Sequence, residues 1–239
     1  MKIVSWNMNY WQQSAMNESA WDFLIRNVKP DIAFLQETVL PEPYKDINCL
    51  FQKAYGTQDW GNCIYVRNNI SLIDKTSDFF PNVIDIYKGK QIVGEITIDN
   101  QKILLVNVHI NTRNSQNNMD TAIQNHIDYI LKYIEETNLS QKKSILAGDF
   151  NGDDSIDYFK LRHEKLEELN FSECNPQFSQ TFFGWNTNRH LQDDHIFVTK
   201  DLKENLSVTT NGYTSQTWNY GKVKHFSDHT ILEIDLKLN

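Results

Sequence analysis

The feature that most constrains this chain is a recurring junction: a short apolar run that stops at an amide, carboxylate or imidazole side chain. Residues 2–10, 31–38, 61–67, 91–98, 102–110, 143–150, 194–199 and 230–238 are rich in Ile, Val, Leu and Phe, are bounded by Asn, Asp, Gly or Pro, and read as β-strands. Alternation at Ile92, Gly94, Ile96 and Ile98 predicts one exposed face, whereas the unbroken run from Ile103 to Val108 predicts burial on both. Two stacked sheets with helices outside satisfy both patterns. A first helix is predicted to be capped by Asp120, with Ile123, Ile127, Ile130, Leu131 and Ile134 as its apolar stripe. A second is predicted over 18–28, with Trp21, Leu24 and Val28 inward and Pro30 ending it, and a third over 156–169, with Phe159, Leu166 and Leu169 inward.

A chain of 239 residues with 40 % hydrophobic and 12 % aromatic content can bury one large core, which excludes intrinsic disorder. No repeat or linker interrupts it, and the polar stretch 111–118 reads as a loop, so a single domain over 1–239, working as a monomer, is expected. No run reaches the roughly 18 to 20 apolar residues that a membrane-spanning helix needs, and the opening MKIVSWNMNYW lacks a secretory pattern. Cys49, Cys63 and Cys174 form neither a CxxC pair nor an even framework, which disfavours disulfides and structural zinc. A cytoplasmic setting is expected. With 23 Lys plus Arg against 31 Asp plus Glu, the net charge is −8, which argues against a protein that coats nucleic acid by neutralising phosphates.

The polar strand ends are Asn7 after KIVSW, Glu37 after DIAFLQ, His109 after LLVNV, Asp149 and Asn151 around SILAGDFN, and Asp228 with His229 before TILEIDL. Singly, each has an ordinary explanation as a turn or cap residue. Together they need a common one, because a buried strand ending in an uncompensated carboxylate carries a heavy desolvation cost. A shared cation or a His meets that need for several at once.

In order along the chain, WN (Trp6, Asn7), LQE (Leu35 to Glu37), NVH (Asn107 to His109), GDFN (Gly148 to Asn151), DHIFV (Asp194 to Val198) and SDH (Ser227 to His229) resemble the motifs of the endonuclease/exonuclease/phosphatase superfamily. That group includes DNase I, AP endonucleases, inositol polyphosphate 5-phosphatases and neutral sphingomyelinases. The resemblance covers residues 3–236 and implies an α/β fold, a four-layered α/β/β/α sandwich on two mixed sheets. It also implies a phosphoester hydrolase that uses a divalent metal, usually magnesium with manganese as the alternative, for water attack.

The resemblance implies these roles. Glu37 is the principal metal ligand, with Asn7 beside it and Asp228 as a further ligand, directly or through water; magnesium suits such a set, since it typically takes one or two protein carboxylates and keeps several waters. Asp149 orients or deprotonates the attacking water, and Asn151 donates to the phosphate. His229 faces the phosphoryl group with Asp194 on its other ring nitrogen, as general base or as positive stabiliser. His109 stabilises the phosphate or protonates the leaving oxygen. Arg113 and Thr181 are further candidates for phosphate contact. His195 replaces a common aromatic and reads as a packing substitution.

Two departures bear on substrate. The chain lacks the Ala-His that follows GDFN in AP endonucleases and their Leu-Asp-Tyr-Phe form of the later motif, which disfavours an abasic-site enzyme. Trp11, Trp60, Trp185 and Trp218 lie in expected loops, as candidates either to stack on a base or to close core edges. A nuclease is the first expectation and a small or lipid-derived phosphoester the alternative substrate. A non-catalytic module of the same fold would have lost Glu37, Asp149, Asn151 or His229, and all four are present.

Overall fold

Apolar strands that stop at polar residues fold so that the stops share one rim. The computed structural model describes residues 1–112, 118–174, 181–183, 190–209 and 224–238. Its strands are β1 (Lys2–Asn7), β2 (Ile32–Thr38), β3 (Cys49–Lys53), β4 (Gly61–Val66), β5 (Leu72–Asp74), β6 (Gln91–Ile98), β7 (Gln101–His109), β8 (Ser144–Asp149), β9 (Phe171–Glu173), β10 (Phe182–Phe183), β11 (His190–Leu191), β12 (Asp194–Thr199), β13 (Leu206–Thr209) and β14 (Leu232–Leu238). The helices are α1 (Tyr10–Gln13), α2 (Asn17–Phe23), α3 (Thr76–Phe79), α4 (Met119–Glu136), α5 (Asp157–Glu168) and α6 (Lys200–Asn205). Among the described residues two six-stranded sheets form, in the orders β13-β14-β1-β2-β4-β3 and β5-β6-β7-β8-β12-β9.

Ile3, Ile32, Phe34 and Ile64 of the first sheet pack on Ile96, Leu105, Ile145 and Ile196 of the second. On the outer side of the second sheet, Ile123, Ile127, Ile130 and Ile134 of α4 cover Leu104, Val106 and Leu146. On the outer side of the first, Trp21 and Leu24 cover Val4 and Leu35. Helix, sheet, sheet and helix are therefore stacked as four layers, the α/β/β/α arrangement expected. Each fully buried Ile or Leu in these layers contributes about 1.5 to 3 kcal/mol of transfer free energy. Among the described residues no helix is long and apolar enough to cross a membrane.

Three local expectations are corrected. Asn118, not Asp120, caps α4: its extended backbone lets its side-chain oxygen accept from the Thr121 amide at 3.0 Å, while Asp120 lies inside the first turn. The helix expected over 18–28 ends as regular α-helix at Phe23 and widens into a π-turn over Leu24–Val28, closed by Lys29 in the left-handed conformation. Strand β6 is buried on both faces over its first half, because Val93 packs into the α4 layer while Ile92 faces the central core.

Candidate active site

The registers bring the strand ends together. β1 runs parallel to β2 with Asn7 beside Gln36; β7 runs parallel to β8 with His109 beside Asp149; antiparallel β12 sets Asp194 beside Asp149. Gly148 permits the close approach of β7 to β8, since a Cβ there would lie 1.9 Å from the Val108 carbonyl oxygen and its φ is +146°. At this rim Asn7, Glu37, His109, Asp149, Asn151, Asp228 and His229 line one cavity of about 430 Å³.

Glu37 leaves the regular ladder. The register shifts between Leu35 and Thr38, and Glu37 has a φ of +45°, a conformation that costs a non-glycine residue on the order of 1 to 3 kcal/mol. The strand beneath holds it there: Gln36 donates to Asn107 Oδ1 at 2.7 Å, and Asn107 donates across the sheets to the Leu35 and Cys63 carbonyls, both at 2.9 Å. Glu37 Oε1 is 3.5 Å from His109 Nε2, and Glu37 Oε2 is buried without a hydrogen-bond partner. Burial first, then the charge of Asp149, pushes the Glu37 carboxyl up to about 8. Burial likewise raises Asp149, to about 6, and Asp228. A cluster that resists its own negative charge and leaves a buried oxygen without a partner suits a hard cation. Among the described residues no three acidic, His or Cys side chains converge closely enough to cage one unaided, so such an ion would keep water in its shell.

Asp149 is the hub. Its Oδ2 accepts from Asn7 Nδ2 and its Oδ1 from the Asn151 amide, each at 2.8 Å, and Oδ2 lies 3.8 Å from His109 Nε2 and 4.0 Å from His229 Nε2. Asn151 holds a φ of +53° and donates through its side chain to the Ile110 carbonyl at 3.0 Å. His229 Nδ1 pairs with Asp194 Oδ2 at 2.8 Å. Burial alone would lower the His229 imidazole, but Asp194, Asp149 and Asp228 outweigh it and hold the ring well above its usual range, which favours the charged form. Burial and the Lys90 charge have the opposite result at His109, which is held neutral.

A family model described as the endonuclease/exonuclease/phosphatase family matches residues 4–229. The chain belongs to that family. Solved structures agree on the fold. The AP endonuclease LMAP from Leishmania major superposes with a TM-score of 0.72 at 14 % identity, covering 100 % of this chain and 88 % of that one. The endonuclease domain of TRAS1, a telomere-specific non-LTR retrotransposon, gives 0.70 at 15 % identity, with 99 % and 98 % covered. A variant of the 3' phosphatase NExo from Neisseria, bound to product DNA hairpin, gives 0.67 at 16 % identity, with 99 % of each chain covered. A comparison with curated protein sequences found no match.

Of the residues marked by the family's motifs, seven line the cavity and Asp194 stands directly behind His229. Thr181 does not line it: fully buried, its hydroxyl accepts from the Asp194 amide at 2.9 Å, so it supports the Asp194 strand instead of facing a phosphate. Arg113, Trp185 and Trp218 lie outside the described residues. Trp11 and Trp60 both line the cavity, Trp11 largely exposed and Trp60 buried.

Sequence reasoning missed Asn9 and Lys90. Asn9, in the left-handed conformation two residues past β1, donates to Asp228 Oδ1 at 2.7 Å and through its backbone to Asn7 Oδ1 at 2.9 Å, so it ties two of the expected ligands together. The NMN spacing was the available signal, since Asn tolerates that conformation better than most residues. Lys90 precedes β6, and no motif covers it. His195 is more than packing: its ring pairs with Glu173 at 2.7 Å and with the Gly152 carbonyl at 2.9 Å.

Proposed function

We propose that this chain is a divalent-cation-dependent phosphodiesterase that hydrolyses nucleic-acid phosphodiester bonds by attack of water. One observation carries the reading: the partnerless buried oxygen of Glu37 and the His229 ring, held from behind by Asp194, border the same cavity, a place for a cation and a place for a phosphoryl group side by side. The nuclease and DNA-phosphatase descriptions of the similar structures support nucleic acid as the substrate.

Glu37, with the Asn7 side-chain oxygen and Asp228, would hold the cation, magnesium in the first instance and manganese in its place. When bound, it supplies neutralisation of charge on the non-bridging phosphate oxygens. The chain's own groups do the rest. Asp149, fixed through both oxygens by Asn7 and Asn151, aligns the attacking water and takes its proton. Asn151 keeps a second side-chain N–H for a phosphate oxygen. The charged His229 stabilises negative charge that develops on the phosphoryl group, and Asp194 fixes its ring. Neutral His109 donates a hydrogen bond and does not act as a strong acid.

The test is a panel of single-stranded DNA, duplex DNA and RNA with Mg²⁺, Mn²⁺ or EDTA. Cleavage is expected only with metal, and Glu37→Ala and His229→Ala should each lower the rate at least about a hundredfold. Metal-independent cutting refutes the reading. The acidic balance favours one alternative, a small or lipid-derived phosphoester. An inert nucleic-acid panel beside turnover of a nucleotide or an inositol phosphate selects it.

A further inference from the structure

The hydrolytic chemistry above leaves one charged group of the cavity unused. Lys90 lines the cavity beside Trp60 and His109, yet the residue is only 8 % exposed. A charge enclosed by protein at a cavity wall acts through a lower dielectric than one in water and attracts an anion there more strongly. This one is placed with care by the backbone. Gly89, at φ +71°, passes so close to β3 that a Cβ would meet the Lys53 carbonyl oxygen at 2.1 Å, so the turn before Lys90 admits no ordinary side chain. The Lys90 amide donates to the Tyr87 carbonyl at 3.0 Å, and its own carbonyl accepts from Asn62 Nδ2 at 2.9 Å and from the His109 amide at 2.7 Å. Three elements therefore fasten the residue from which the side chain leaves.

The ammonium lies 5.0 Å from the centre of the Trp60 ring, within cation–π range, and the Trp60 ring is 5.5 Å from that of His109. Ammonium, indole and imidazole thus form a continuous stretch of cavity lining that ends at Glu37, whose carboxylate is 3.5 Å from His109. In a chain of net charge −8, a cation held inside the cavity makes this wall attractive to anions, whatever the mean potential of the surface.

We propose that Lys90, steadied by Trp60, is a second anion subsite that binds the phosphate next to the scissile one. The inference rests on the hydrolytic reading above and narrows it: the preferred substrates are phosphoesters with another anionic group on the neighbouring unit, as in an oligonucleotide, and not diesters of uncharged alcohols. A different role would also place a lysine here, that of a general counter-ion for the Glu37 and Asp149 carboxylates. The two roles differ in their effect on selectivity. A counter-ion influences every substrate alike, whereas an anion subsite influences only substrates that reach it.

Purified wild type, Lys90→Gln and Lys90→Arg should be compared on a thymidine tetranucleotide and on bis-p-nitrophenyl phosphate, which has no second anion. The ratio of kcat/KM for the tetranucleotide to that for the small diester is expected to fall about tenfold or more in Lys90→Gln, as for a lost charge-assisted hydrogen bond, mainly through KM, and to return largely in Lys90→Arg. The salt dependence on the tetranucleotide should lose about 0.7 of its logarithmic slope. An unchanged ratio, whether both activities fall together or neither falls, overturns the proposal. If wild type hydrolyses neither compound, the hydrolytic reading fails separately, and calorimetric titration with the tetranucleotide in EDTA decides for Lys90. An affinity about tenfold weaker in Lys90→Gln upholds the subsite, and equal affinities, or no binding by wild type, refute it.

Discussion

Asp194 shows how a single buried charge sets the state of this site. It is fully buried, and its Oδ2 is 2.8 Å from His229 Nδ1. Burial pulls the His229 ring toward neutrality and the neighbouring carboxylates, Asp194 foremost, pull it toward the cation; the carboxylates win. Asp194→Asn keeps the shape and removes the largest favourable charge, so the ring's pKa should fall and the cation should be lost as pH rises through the neutral range. If the cationic ring stabilises the phosphoryl charge, the variant keeps a larger share of wild-type kcat/KM at pH 6 than at pH 8, with the loss at pH 8 on the order of a hundredfold. A pH–rate profile of the two proteins checks this, and a loss of equal size at every pH removes the charged role from His229. The same residue scale explains what could be read from sequence. Glu37, His109 and Asp149 were legible because each closes an apolar run that has no ordinary reason to stop at a polar side chain. Asn9 and Lys90 were not, because each enters the cavity from a turn whose positive φ, at Asn9 itself and at Gly89, no periodicity reveals. Thr181 misled for a related reason: it belongs to the site but points at the Asp194 amide from behind.

At the scale of elements, the strands were legible within three residues at either end, since continuous apolar runs between turn residues leave few alternatives. The short strands β3, β5, β9, β10, β11 and β13 were not, because two to five residues carry no readable period. The connection from β8 to α5 depends on an interaction of this hidden kind. His195 on β12 reaches under it to the Gly152 carbonyl, next to Asn151, while Glu173 on β9 grips its other nitrogen and Phe159 of α5 stacks at 4.8 Å. Burial would lower this imidazole, but Glu173 and the Gly152 carbonyl raise it to about 9. A raised folded value stabilises the fold fully below the unfolded value of 6.5, and that stability fades as pH rises through about 9. Burial would raise Glu173, but His195 outweighs it and depresses the carboxyl, so its share persists down to acid pH. His195→Phe restores the aromatic shape and removes both hydrogen bonds. The variant should be less stable than wild type by up to about 3 kcal/mol at pH 6, and the gap should narrow by pH 9.5. Urea unfolding at both values measures it, and a gap that does not change with pH shows that the ring is only a packing group.

Over the whole molecule, the two sheets hold a set of acids that would separate if they could. Burial raises Glu37 and Asp193 each to about 8 and Asp149 to about 6, and Asp228 rises with them. For an acid whose folded value is raised, the unfolded chain releases its proton first, so folding weakens as pH climbs from the ordinary carboxylate range through these values. A cation held at Glu37, as proposed above, would reverse that trend. It binds the ionised form, competes with the proton, and therefore binds more tightly at pH 8 than at pH 5.5. Since ligand binding to the native state alone stabilises it by RT ln(1 + [L]/Kd), a hundredfold excess of Mg²⁺ over Kd should contribute about 2.7 kcal/mol, or roughly 5 to 10 °C in Tm for a chain of this size. The expected result is a Tm increase with Mg²⁺ that is large at pH 8, small at pH 5.5, and much reduced in Glu37→Gln at both. Thermal unfolding of the two proteins with Mg²⁺ or EDTA supplies the comparison. An increase that is the same at both pH values, or that survives in Glu37→Gln, would place the cation somewhere other than among these buried acids.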